Sequence, residues 1–155
     1  MKMQERSQKY KGKYRPQNPE KYMGDSRNII YRSLWELKFM KWCDRNVNIL
    51  EWGSEEFFIP YKSPLDNRVH RYFPDFYIKV KQANNSAKKY IIEIKPKKQC
   101  SPPDTQPKKR TVKWLNEVKT WSVNDAKWKH ADKWCKDNGM EFKILTEDDL
   151  GIRYK

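Results

Sequence analysis

Asp75 follows a proline, and Glu93-Ile94-Lys95 begins eighteen positions later. Two carboxylates and an ammonium at that spacing come together if the two segments are neighbouring strands joined by a short turn. Side chains alternate along a strand, so Glu93 and Lys95 share a face, and Asp75 on the adjacent strand can join them. Two carboxylates a few ångströms apart repel each other unless a cation lies between them. Hard oxygen ligands at an open site suit Mg²⁺ or Mn²⁺. Such an ion polarises a phosphate oxygen and lowers the pKa of a bound water. Lys95 beside that water would orient it and offset the charge that grows on the phosphate. The chemistry these residues point to is hydrolysis of a phosphodiester. The plainer alternative is a strand ion pair in a lysine-rich protein.

Context selects these residues from several look-alikes. Glu-x-Lys occurs at Glu36, Glu93, Glu117 and Glu141, and Pro-Asp at Asp75 and Asp104. Asp104 lies in a proline-broken stretch. Glu36 and Glu117 lie in helical patterns, where residues two apart do not face each other. Glu141 opens a strand with no Pro-Asp segment before it. Only Asp75 and Glu93 fall on consecutive expected strands.

The elements that position them can be read along the chain. Ser33-Leu34-Trp35-Glu36 has the form of a capping box opening a helix that ends near Asp44-Arg45-Asn46. Strands are expected at Glu55–Pro60, Val69–Lys81 and Tyr90–Lys95, separated by turns at Ser63–Arg68 and Asn84–Ser86. Val112, Leu115 and Val118 predict a short helix, and Asn124–Asp137 a second one stopped by Asn138-Gly139. Phe142–Leu145 reads as a last strand. The fold class is therefore α/β, a small mixed sheet flanked by helices.

Composition narrows the partners. The 155 residues carry 34 Lys+Arg against 20 Asp+Glu, a formal charge of +14, which favours a polyanion such as DNA. No apolar stretch approaches a membrane span, and no secretory h-region opens the chain. Cys43, Cys100 and Cys135 form no CxxC pair, and with only His70 and His130 beside them they make neither a disulfide framework nor a zinc site. Residues 1–25 read as a basic flexible arm and 26–155 as one domain. Lys97, Lys98 and Gln99, after the third strand, are phosphate-contact candidates. His70 reads as structural, and the tryptophans fit a helical core face better than a base-stacking platform. Taken alone, Glu36 is a capping residue that bonds back to the Ser33 backbone.

Ser33-x-x-Glu36, Tyr72-Phe73-Pro74-Asp75-Phe76 and Glu93-Ile94-Lys95 together resemble the PD-(D/E)XK nucleases, whose core is of restriction-endonuclease type. Within them the pattern is most similar to the branch that contains the N-terminal nuclease domain of the Tn7-type transposase. Asn124-x-x-Lys127-Trp128, Trp134-Cys135 and Phe142-Lys143-Ile144-Leu145-Thr146-Glu147 resemble that branch's closing helix and strand. The resemblance runs from about Arg32 to Leu150. It implies a Mg²⁺- or Mn²⁺-dependent endodeoxyribonuclease with Glu36, Asp75 and Glu93 on the metal and Lys95 at the water. It also makes Asn124 and Lys127 candidates for DNA contact or support. Many members of the branch carry Gln where this chain has Glu93, the commoner acid of the superfamily. Taken whole, the chain resembles the head completion nucleases of T4-like bacteriophages. That implies DNA trimming late in head assembly, in the host cytoplasm or the head, with head or portal proteins as partners. Two alternatives stay open: a non-catalytic protein binding DNA ends or the portal, and a branched-DNA resolvase of the same fold.

Overall fold

The computed structural model describes residues 11–151. A four-stranded mixed sheet lies at its centre, built from β3 (Ile49–Ser54), β6 (Phe76–Lys81), β7 (Ala87–Ile94) and β8 (Met140–Leu145), in the order β3-β6-β7-β8. The first two pairings are antiparallel, and β7–β8 is parallel. Helix α1 (Leu34–Arg45) covers one face and helix α2 (Val112–Asp137) the other. Two small ribbons flank the sheet, β1 (Gly12–Tyr14) with β2 (Ile29–Tyr31), and β4 (Ile59–Lys62) with β5 (Val69–Tyr72). A final helical turn, α3, spans Glu147–Leu150.

Alternation on β6 and β7 divides the core as expected. Phe76, Ile78, Ile92 and Ile94 pack against Phe39, Met40 and Cys43 of α1. Tyr77 and Ile91 point the other way and meet Cys135 of α2. Glu93, between Ile92 and Ile94, therefore lies on the α2 side.

Four expectations need correction. The strand placed at Glu55–Pro60 is a loop followed by β4, and the strand before it, β3, gives no period-two signal in the sequence. A bulge shifts its register between Ile49 and Glu51, so Ile49, Trp52 and Gly53 are all buried. The strand expected over Val69–Lys81 is two strands in two different sheets. Pro74 cannot donate to a ladder, and the chain leaves β5 for β6 across it. The two expected helices at 112–118 and 124–137 are one helix of 26 residues. No glycine or proline interrupts Lys119–Val123, and Ser122 returns its hydroxyl to the Val118 carbonyl at 2.9 Å, which keeps it within the helix.

The fourth correction concerns the basic arm. Its first ten residues lie outside the described ones. From Gly12 onward the segment is folded onto the domain. Tyr14 and Tyr22 are buried against Trp52, with ring centroids 6.2 and 4.7 Å away. Asp44, fully buried at the end of α1, accepts hydrogen bonds from Tyr14 Oη (2.6 Å), Gln17 N (2.7 Å) and Asn18 N (2.9 Å). Lys21 Nζ donates to the carbonyls of Cys43, Asp44 and Asn46 at 2.8–3.0 Å, so its ammonium closes the carboxyl end of the helix. The lysines that read as a loose polycation include one that caps a helix.

Candidate active site

Asp75 stands at the point where the chain passes from the β4–β5 ribbon to the central sheet. Pro74 before it is fully buried, and Asp75 Oδ2 accepts from Ile94 N at 2.7 Å, across the end of the β6–β7 pair. That bond sets Asp75 beside Glu93. Glu93 Oε2 accepts from Tyr72 Oη at 2.5 Å, and Glu93 Oε1 lies 3.9 Å from Lys95 Nζ. Lys127 of α2 reaches the same place. Its ammonium lies 5.8 Å from the ring centre of Tyr61 and 5.7 Å from that of Tyr72.

Glu36 arrives from the amino end of α1. Ser33 caps the helix by accepting from Glu36 N at 3.1 Å. The Glu36 carboxylate turns back as a capping-box acid does, although it accepts from Arg32 N at 2.7 Å, one residue before the cap. The bond back to the Ser33 backbone expected of Glu36 is not formed: its carboxylate holds the Arg32 N–H instead and lies among the acids. Oxygens of Glu36, Glu55 and Asp75 lie within 4.8 Å of one another.

Glu55 is the residue that sequence reasoning missed. It follows β3 with φ +52°, in the left-handed region, and its N–H donates to the Asp75 carbonyl at 3.2 Å. That turn takes Glu55 out of the strand direction and carries its side chain to the acids. Its carboxylate also forms an ion pair with the Arg32 guanidinium. The Glu55-Glu56 pair was the one available signal, and a strand assignment there hid it.

Burial raises the carboxyl pKa of Asp75 well above its ordinary value, and the negative charges of Glu93 and Glu36 add to the effect. Glu93 is also raised by burial, and the Tyr72 hydroxyl, Lys95 and Lys127 act against that rise. Burial raises Glu36 too, with the Arg32 N–H opposing and Glu55 reinforcing. Lys127 is lowered by burial, while Glu93 and Asp75 pull it back up. The site concentrates negative charge that its own lysines only partly offset. The donor set is all oxygen, which fits a hard divalent cation and not a thiophilic one.

The other expected residues are spread around this centre. Lys97, Lys98 and Gln99 form an exposed 3-10 turn after β7. Lys97 is engaged there, its N–H donating to Glu147 Oε1 at 2.7 Å and its ammonium 3.2 Å from Asp148 Oδ2. Asn124 is buried on the inner face of α2, one turn before Trp128, a placement suited to support and not to phosphate contact. His70 pairs with Asp66 at 2.7 Å on the surface, as a structural histidine would. Trp52 and Trp128 are core residues. No described helix is long and apolar enough to cross a membrane.

Comparison with known proteins places the chain in a nuclease family. The family described as TnsA-like endonuclease N terminal matches residues 46–147, a span that holds Glu55, Asp75, Glu93, Lys95 and Lys127 and begins after Glu36. The head completion nuclease of Enterobacteria phage T4 is 44% identical over 147 residues, covering 91% of this chain and 93% of that protein. No solved structure matches. The chain belongs to the TnsA-like endonuclease N-terminal family.

Proposed function

We propose that this protein is a divalent-metal-dependent endodeoxyribonuclease of phage head completion, which trims or processes packaged DNA. The observation that carries the reading is the convergence of Asp75, Glu93 and Lys95 at the end of β6 and β7, with Glu36 and Glu55 brought against Asp75. The family membership supports a restriction-endonuclease-type, PD-(D/E)XK core, and the similarity to the T4 protein supports the place in head assembly. We take the chain from Gly12 onward as one nuclease domain. DNA is the substrate, and head or portal proteins are the expected partners.

Glu36, Glu55 and Asp75 would hold Mg²⁺ or Mn²⁺, with Glu93 adjoining them. The ion, when bound, would supply Lewis-acid polarisation of a phosphodiester. The protein's own groups do the rest. Lys95 donates to the attacking water and to the phosphate oxygens as their charge grows. Glu93 holds the Lys95 ammonium in place and is itself fixed by the Tyr72 hydroxyl. Lys127 adds a second positive charge from α2. Backbone hydrogen bonds to Asp75 and Glu36 restrict both carboxylates before substrate arrives.

The test is cleavage of supercoiled and linear DNA in Mg²⁺ or Mn²⁺ against EDTA. Wild type is expected to cut only with metal, and Lys95→Ala to slow cutting by roughly 100- to 1000-fold. Metal-independent behaviour, or full activity of Lys95→Ala, would defeat the assignment. DNA binding without cutting under every condition would favour a non-catalytic role in assembly.

Tyr72→Phe gives a finer check. Losing the hydroxyl removes a hydrogen bond to the ionised form of Glu93, so the Glu93 pKa rises further. Cleavage is expected to fall on the acidic side of the pH–rate profile, and the deficit to shrink as pH increases. A deficit that is constant across the pH–rate profile would mean that the tyrosine acts by packing alone.

A further inference from the structure

One face of the β4–β5 ribbon is buried and the other is not. Ile59, Tyr61 and Tyr72 point inward to Trp128 and Ala131 of α2. The alternate positions, Phe58, Pro60 and Lys62 with Val69, Arg71 and Phe73, point out. Phe58 is 44% exposed and Phe73 47% exposed, an unusual position for two large rings that touch at 5.8 Å between centroids. The Arg71 guanidinium lies 4.9 Å from the centre of the Phe58 ring. That face carries two cations and no acid.

Its location is as informative as its composition. Phe73 is two residues before Asp75, and Phe58 three after Glu55. Two and three residues of chain span at most about 7 and 11 Å. The two segments that deliver the exposed rings are therefore the two that deliver acids to the site, and the Glu55–Asp75 backbone bond ties them together. Nothing in core packing calls for the rings to stand there. Exposed aromatics with a stacked guanidinium, beside cations and next to a phosphodiester site, match what a nucleic-acid strand with unstacked bases needs.

We propose that Phe58, Phe73 and Arg71 form a platform on which an unpaired DNA base stacks, so that the site works at single-stranded extensions or frayed ends. The proposal rests on the nuclease reading and names the form of its substrate. Stacking on the rings tolerates any base, because every base presents a π-face. Lys62 and Arg71 hold the adjoining phosphates. The platform thereby sets which phosphodiester lies over the carboxylates, at a fixed distance from the last paired base.

Binding should be measured in EDTA, where DNA stays uncut. Two probes are compared, a blunt duplex and the same duplex with a short single-stranded extension that carries a fluorescent adenine analogue. Wild type is expected to bind the extended probe roughly tenfold more tightly or better and to quench the analogue by stacking. Phe58→Ala with Phe73→Ala should lose both the preference and the quenching while keeping blunt-duplex affinity. Phe58→Tyr with Phe73→Tyr should restore both. Equal binding of the two probes by wild type would overturn the proposal. So would an alanine pair that weakens both probes equally, or one that changes neither and leaves the rings to a protein partner. Failure of the nuclease reading is separate, since it would appear as absence of cutting in Mg²⁺ whatever the result in EDTA.

Discussion

Asp75→Asn is expected to abolish cleavage and, in metal-free buffer, to raise the melting temperature. Asn keeps an acceptor for Ile94 N–H and removes a charge that burial disfavours first and Glu93 and Glu36 oppose further. Relief of a buried like-charge contact should stabilise the free protein by about 1–2 kcal/mol, or roughly 2–8 °C for a chain of this size. The pH dependence follows from the same shift. Asp75, Glu93 and Glu36 all have folded-state pKa values raised by burial. Between the ordinary carboxylate range, about 4, and those raised values, the folded protein keeps protons that the unfolded chain releases. Stability of the metal-free wild type must therefore fall as pH rises through that window. Mg²⁺ should flatten the slope, and Asp75→Asn should remove its own share. Thermal melts across pH, with EDTA or Mg²⁺, test this directly. A variant that melts lower than wild type in EDTA would show that the Asp75 charge is already neutralised by its surroundings.

Asp44→Ala should be the most destabilising single change outside the site. It strands the Tyr14 hydroxyl and the Gln17 and Asn18 N–H groups, all aimed at one fully buried carboxylate. Loss of about 3–5 kcal/mol is expected, which corresponds to a drop on the order of 10 °C. The segment from Gly12 to Tyr22 should come loose before the sheet does. Hydrogen exchange at Gln17 and Asn18 would then speed up while β6 and β7 stay protected. Burial pushes the Asp44 carboxyl up, yet bonds from Tyr14, Gln17 and Asn18 outweigh it, and the net shift is downward. Its contribution is complete above the ordinary aspartate value and is lost as pH falls through the depressed one. Asp44 and the site carboxylates thus act on opposite sides of the ordinary carboxylate pKa. Unchanged exchange at Gln17 in Asp44→Ala would mean that Tyr14 and Tyr22 alone anchor the segment.

Local chemistry was the part legible in the sequence. The Ser33 cap, the shared face of Glu93 and Lys95 and the inward Ile92 and Ile94 all depend on spacing within one element, and all were read correctly. Asp75 beside Glu93 needed only one turn between two strands. What the sequence hid depends on distant partners. Glu55 reaches the acids through a left-handed turn after a bulged strand, and neither the bulge nor the turn leaves a periodic trace. The amino-terminal lysines looked solvated because the buried Asp44 that organises their segment sits some thirty residues away. The continuity of α2 was obscured by Thr120, Trp121, Ser122 and Val123, weak helix formers that no breaker accompanies.

The parallel pairing of β7 with β8 has a consequence for biosynthesis. A ribosome delivers Glu93 well before Met140, because all of α2 lies between them. During that interval the strand bearing Glu93 is an open edge, with Ile91, Ile92 and Ile94 unaccompanied by Phe142, Lys143 and Leu145. Lys95 N–H, whose acceptor is the Leu145 carbonyl, has no partner either. A nascent chain of this protein therefore passes through a stage in which Asp75, Glu93 and Lys95 exist but its sheet is unfinished. A chaperone or a slow stretch of translation near α2 would have most to protect at that moment.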